Sequence, residues 1–126
     1  MPAVDSNVLV RLLTRDEPAQ LASAEEFVAK SAWVSNVVLA ETIWVLASVY
    51  ELDARQIATA VEMLLQHDRL SIEDPDAVYR AVCAFRRRPA VDFTDYLILE
   101  IARENGHSPI GTFDRELAKV EGAERL

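Results

Sequence analysis

The sequence predicts an α/β sandwich built on a mainly parallel sheet. Short apolar runs of strand character alternate with helical periodicities along the chain, and no repeat, low-complexity tract or linker breaks that alternation. The length, 126 residues, suits a single domain spanning 1–126 with a sizeable core. In open sheets of this class ligands bind beyond the carboxyl ends of the strands, which singles out the strand-to-helix passages.

The elements follow in order. Residues 2–4 (PAV) read as a short buried strand and SNVLVRLL, from Ser6, as a helix. A second helix is expected from about Glu17 to Lys30, with Pro18 in its first turn, where a missing N–H costs nothing. AWVS reads as a strand and Asn36 to Tyr50 as a very apolar helix. DARQIATAVEMLLQHD repeats at 3.6 residues, with Ile57, Val61, Leu64 and Leu65 on one stripe. RLSIE is a further strand, and Asp-Pro opens the helix DPDAVYRAVCAFRRR. Asp92 to Asn105 reads as a helix stopped by Gly106, which tolerates a left-handed backbone. SPIGTF is a strand, Asp114 to Val120 a short helix, and AERL a last edge strand.

Composition narrows the class. With 51% hydrophobic and 27% charged residues the chain belongs among folded proteins, not disordered ones. The stretch from Trp33 to Tyr50 has the length of a membrane span, but Asn36, Glu41 and two serines interrupt it, so a core helix entered from a strand is the better reading. Cys83 has no partner for an internal disulfide and reads as a packed thiol. The start MPAVDSN lacks the basic-then-apolar pattern of a signal peptide; together these lead to the expectation of a reducing, cytoplasmic setting. A net charge of −8 weighs against nucleic-acid binding. Against it stand the run Arg86-Arg87-Arg88, with Arg80 shortly before, and the prospect that several acids are cation ligands.

Those acids carry the functional signal. Asp5 and Asp114 lie where strands pass into helices, and Asp92 and Asp95, three apart, share a helix face. Each has a structural explanation: Asp5, Asp92 and Asp114 as helix N-caps, Asp95 as a first-turn acid favoured by the helix dipole. Glu41 is different, being the only charged residue between Lys30 and Glu51 in an apolar helix. A buried carboxylate needs a partner, either an arginine such as Arg11 or Arg15, or a cation. Several clustered carboxylates without a cation raise one another's pKa, whereas with Mg²⁺ or Mn²⁺ they form a hard-oxygen site. His67 and His107 lack paired spacing and there is no Cys pair, which argues against zinc. With only Gly106, Gly111 and Gly122, no phosphate loop or dinucleotide fingerprint can be drawn, and no G-x-S-x-G elbow is present.

Four segments in order, AVDSNVLVRLL, SNVVLAETIWVL, VDFTDYLILEIAR and IGTFDRELAKV, resemble the motifs of PIN-domain proteins, especially VapC toxins of bacterial toxin–antitoxin pairs. The resemblance runs across essentially the whole chain. It implies a three-layer α/β/α sandwich around a parallel sheet of four or five strands, and a divalent-metal-dependent endoribonuclease leaving 5′-phosphate and 3′-hydroxyl ends. Asp5, Glu41, Asp95 and Asp114 would form the acidic quartet that holds Mg²⁺ or Mn²⁺, with Asp92 an auxiliary ligand. Ser6, Asn7 and Thr112 would orient the ligands or the scissile phosphate. Ser6 stands where relatives often have Thr, and Tyr96 where many have a small residue, so its ring either narrows the site or packs. Arg86, Arg87 and Arg88 are candidates for holding RNA, although a solvated basic helix end suits them slightly better. A homodimer inhibited by a small antitoxin is the partnership the resemblance implies, with no membrane involved.

Two other classes fit the residues less well. A haloacid-dehalogenase-type or phosphoacceptor enzyme needs Asp-x-Asp after the first strand, where this chain has Asn7, and a well-placed lysine beyond Lys30 and Lys119. A non-catalytic PIN module binding RNA or protein would have no use for the full set of acids.

Overall fold

The local chemistry of the helix ends sets most of the architecture. In the computed structural model, which describes residues 1–126, the chain divides into two compact units, Met1–Pro75 and Asp76–Leu126.

In the first unit, Asp5 caps α1 (Ser6–Thr14) by accepting from the Val8 amide, and the helix stops at Arg15, whose left-handed backbone (φ 55°) returns its amide to the Arg11 carbonyl. Pro18 opens α2 (Pro18–Val28). Strand β1 (Ala32–Val34) leads through Ser35, a cap on the Val38 amide, into α3 (Asn36–Ser48). Asp53 and Gln56 exchange hydrogen bonds as a capping box at the start of α4 (Ala54–Gln66), which is followed by β2 (Leu70–Ile72). The two strands pair in parallel, Ala32 with Leu70 and Val34 with Ile72. Helix α1 packs on α2 and α3, and Leu9, Val10, Leu39, Leu46, Val61 and Leu64 are among the residues of the core.

Residues 2–4 form less than the expected strand. Ala3 makes a single parallel bridge with Trp33, flanked by the Trp33 amide donating to the Pro2 carbonyl and the Val4 amide donating to the Trp33 carbonyl. Pro2 has no N–H to extend the ladder, and only Val4 of the three is buried.

The second unit holds most of α5 (Pro75–Arg87), α6 (Phe93–Glu104), β3 (Ile110–Thr112), a 3₁₀ turn (Leu117–Lys119) and β4 (Ala123–Arg125). Phe85 of α5 meets Phe93 and Tyr96 of α6 edge-on at 6.1 and 6.5 Å. Gly106 (φ 79°) ends α6 in a Schellman arrangement: its amide bonds the Arg103 carbonyl, and that of His107 bonds Ala102. Strands β3 and β4 pair in parallel, Ile110 with Ala123 and Thr112 with Arg125. The helix expected over Asp114 to Val120 contracts to the 3₁₀ turn.

The class is α/β. Its ladders are two parallel pairs and one bridge, and the four- or five-stranded sheet implied by the resemblance is not among them. Strands of three residues offer few pairing groups each, and such short ladders are set by their surroundings more than by their own sequence. No helix is long and apolar enough to cross a membrane.

Candidate metal and nuclease site

Each expected site residue can be placed within its own unit. In the first, the parallel bridge at Ala3 and the β1–β2 pair bring the carboxyl ends of three chain segments to one edge, and Asp5 follows directly on that edge. Asp5 Oδ1 caps α1, while Oδ2 has no protein donor. Ser6, buried at 6% exposure, donates its hydroxyl to Glu41 Oε1 in a short hydrogen bond, which ties the first turn of α1 to the second turn of α3. Asn7 is exposed.

Glu41 departs from expectation. It is exposed, not buried, because α3 turns Leu39, Thr42, Ile43 and Leu46 inward and leaves Val37, Glu41, Trp44 and Ser48 on the opposite stripe. Exposed in this way, Glu41 needs no compensating cation on account of burial. Arginine does not supply the partner either: Arg11 bonds Asp16, Gln20 and Tyr50, and Arg15 pairs with Glu25. The group facing Glu41 is the Ser6 hydroxyl.

Two oxygen groups at this edge were not anticipated. Glu73, just beyond β2, accepts the Asn36 amide through Oε1 and so caps α3 a second time. Asn36 Oδ1 is buried without a hydrogen-bond partner, an open acceptor of the kind that costs stability unless something fills it. No spacing rule announces either one, since both follow from pairing β2 beside β1.

In the second unit, Asp92 occupies the N-cap position of α6 but its side chain makes no capping bond. Asp95 lies one turn on, half-buried, and its pKa is raised above the ordinary carboxylate value, first by burial and then by the charges of Asp92 and Asp114. The three acids thus share one repulsive field. Asp114 Oδ1 accepts the Glu116 and Leu117 amides, and the Asp114 amide donates to Thr112 Oγ1. Thr112 therefore fixes the turn that carries Asp114, without touching its carboxylate. Capping accounts for one oxygen each of Asp5 and Asp114 and for none of Asp92.

Tyr96 packs: its ring is 2% exposed and its hydroxyl donates to the Arg88 carbonyl. Arg86, Arg87 and Arg88 are exposed at the end of α5. The buried carboxylate of the chain is Glu100, 7% exposed and paired with Arg80 at 3.5 Å and Arg103 at 3.3 Å. The i,i+3 spacing of Glu100 and Arg103 was its only trace in the sequence.

Neither unit gathers three or more His, Cys, Asp or Glu side chains into a ready-made metal site. The donor chemistry nonetheless fits a hard divalent cation: the oxygens are carboxylate, and the repulsion that Asp92 and Asp114 impose on Asp95 is the kind a cation relieves.

A family model described as "PIN: PIN domain" matches residues 3–123. No curated protein and no solved structure matched the chain.

Proposed function

The chain belongs to the PIN-domain family, and from that premise we propose that it is a divalent-metal-dependent endoribonuclease. Nuclease-type hydrolysis is what the family supports at its coarsest; the metal, the RNA substrate and a toxin role of VapC type are the finer reading. The observation that carries it is Asp95, whose ionisation is opposed by burial and by two neighbouring carboxylates, with no arginine or lysine paired with any of the three.

In this reading the acids that would hold Mg²⁺ or Mn²⁺ are those carried by the family motifs, Asp5 and Glu41 in the first unit and Asp95 and Asp114 in the second, with Asp92 as an auxiliary acid. A divalent ion so held supplies Lewis-acid chemistry, making a nucleophile of water at neutral pH and offsetting charge on the phosphate in the transition state. The Ser6 hydroxyl fixes one oxygen of Glu41, and Thr112 fixes the turn that presents Asp114. The family match runs through both units, which supports reading residues 1–126 as one functional domain. The apolar side chains exposed on α2 (Phe27) and α3 (Val37, Trp44), with Val49 just after it, suit a homodimer contact and the seat of a small antitoxin. A cytoplasmic location belongs to the same proposal.

One observation favours a second reading, a non-catalytic PIN module: in neither unit are three acids arranged as a ready-made metal site. Induction of the wild type and of Asp95→Asn in bacterial cells, with 5′-phosphate RNA ends mapped across the transcriptome, separates the two. New ends with the wild type alone are expected. Equal patterns from both proteins, or none from either, contradict the proposal.

A further inference from the structure

We propose that the groove of the second unit lined by α5, α6 and the segment after the 3₁₀ turn is a docking track for the phosphates of single-stranded RNA. The groove encloses about 670 Å³, within the range of about 300–1,000 Å³ typical of ligand sites. Arg80, Arg87, Arg88, Arg103 and Lys119 line it, with Glu100 and Glu121 as the opposing carboxylates. Arg80 and Arg103 are matched by Glu100 and Glu104, and Lys119 by Glu116, so in a chain of net charge −8 the unpaired positive charge of the groove rests on Arg87 and Arg88.

The cations are not equivalent. Glu100 lies buried between Arg80 and Arg103 and fixes both guanidinium groups, and Lys119 pairs at the surface with Glu116. Arg87 and Arg88 have no carboxylate partner. The helix dipole accounts for Arg87 in the last turn of α5 but does not pair its charge. Guanidinium groups match phosphate oxygens bidentately. Beside them the groove offers the ring of Tyr79, which is 62% exposed. Cationic sides with an aromatic platform are how single strands are held, phosphates on the charges and bases on the rings. An acidic peptide needs the charges and not the ring, so RNA is the occupant chosen.

The proposal rests on the nuclease reading but is tested apart from catalysis. Binding of a fluorescein-labelled single-stranded oligouridine is measured by anisotropy in EDTA across a salt series, for the full chain and its variants. The double variant Arg87→Ala/Arg88→Ala is expected to weaken binding at low salt and to flatten the slope of log K against log salt by about 1.4, roughly 0.7 for each phosphate no longer neutralised. Lys119→Ala is expected to flatten it by about 0.7. Arg55→Ala/Arg69→Ala, which removes equal charge from exposed sites on the first unit, is expected to keep the wild-type slope. The groove is overturned if its variants bind like the wild type, or if the charge-matched control weakens binding equally. It is likewise overturned if polyglutamate binds more tightly than the oligouridine through the same arginines. Unchanged binding in the groove variants beside intact Mn²⁺-dependent cleavage removes the groove and leaves the nuclease reading standing. A wild type that neither binds nor cleaves RNA removes both.

Discussion

At Asp95, burial and the charges of Asp92 and Asp114 act in one direction, against ionisation. The folded state therefore holds this proton more tightly than the unfolded chain, whose carboxyl titrates near 3.8. For a group raised in this way the contribution to stability is greatest below the unfolded pKa and declines as pH rises through the folded value. Asp95→Asn removes the decline. In thermal melts with EDTA the variant is expected to melt above the wild type at neutral pH, and the gap to close below pH 3.8; a wild type that melts higher at neutral pH contradicts this. Mn²⁺ is expected to raise the melting temperature of the wild type and not of the variant. Ser6 is a second test at this scale. Ser6→Ala removes the hydroxyl that donates to Glu41 and is expected to lower divalent-dependent cleavage about 10- to 100-fold, with Ser6→Thr restoring it. Activity unchanged in Ser6→Ala would remove Ser6 from the site.

At the scale of elements, a carboxylate that caps a helix and one that holds a cation ask for different chemistry. Asp5 does the first through Oδ1, and the proposal assigns it the second as well. Asn caps a helix as well as Asp does but cannot supply a charged ligand. Asp5→Asn is therefore expected to unfold at nearly the wild-type urea midpoint while losing cleavage. Asp5→Ala is expected to lose cleavage and about 1 kcal/mol of stability. Equal destabilisation by both variants would reduce Asp5 to a cap. The helices were legible because their signals are local: Asp53 with Gln56, Pro18, and Gly106 each act within a turn of the chain. The strands were legible in position and not in pairing. Pro2 limited the first to a bridge, and each remaining strand contributes three residues.

Across the whole molecule, composition is a poor guide to which face is buried. Helix α3 is apolar nearly all round, so nothing in its residue pattern marks Val37, Glu41 and Trp44 as outside and Leu39 and Leu46 as inside. Glu100, embedded in an ordinary charged helix, became the buried acid because Arg80 and Arg103 reach it from two positions. Of the candidate acids, Asp5 and Asp114 were readable from strand-to-helix passages and Asp92 and Asp95 from their spacing, whereas the cationic groove was visible only through Arg87 and Arg88 in the run Arg86 to Arg88, with Arg80 before them, since Arg103 and Lys119 join it through folding. Core packing sets a separate expectation. Phe85→Ala, which removes both edge contacts with Phe93 and Tyr96, is expected to cost about 3–5 kcal/mol in urea denaturation. A cost below about 1 kcal/mol would mean that the α5–α6 core closes over the gap.

The most direct measurement is cleavage of a labelled single-stranded RNA by the purified chain, with Mn²⁺, Mg²⁺ or EDTA, beside Asp95→Asn under the same conditions. Cleavage by the wild type with a divalent ion, 5′-phosphate ends on the products, and none with EDTA or in the variant is the predicted result. Cleavage that persists in EDTA, or in Asp95→Asn at the wild-type rate, would contradict it.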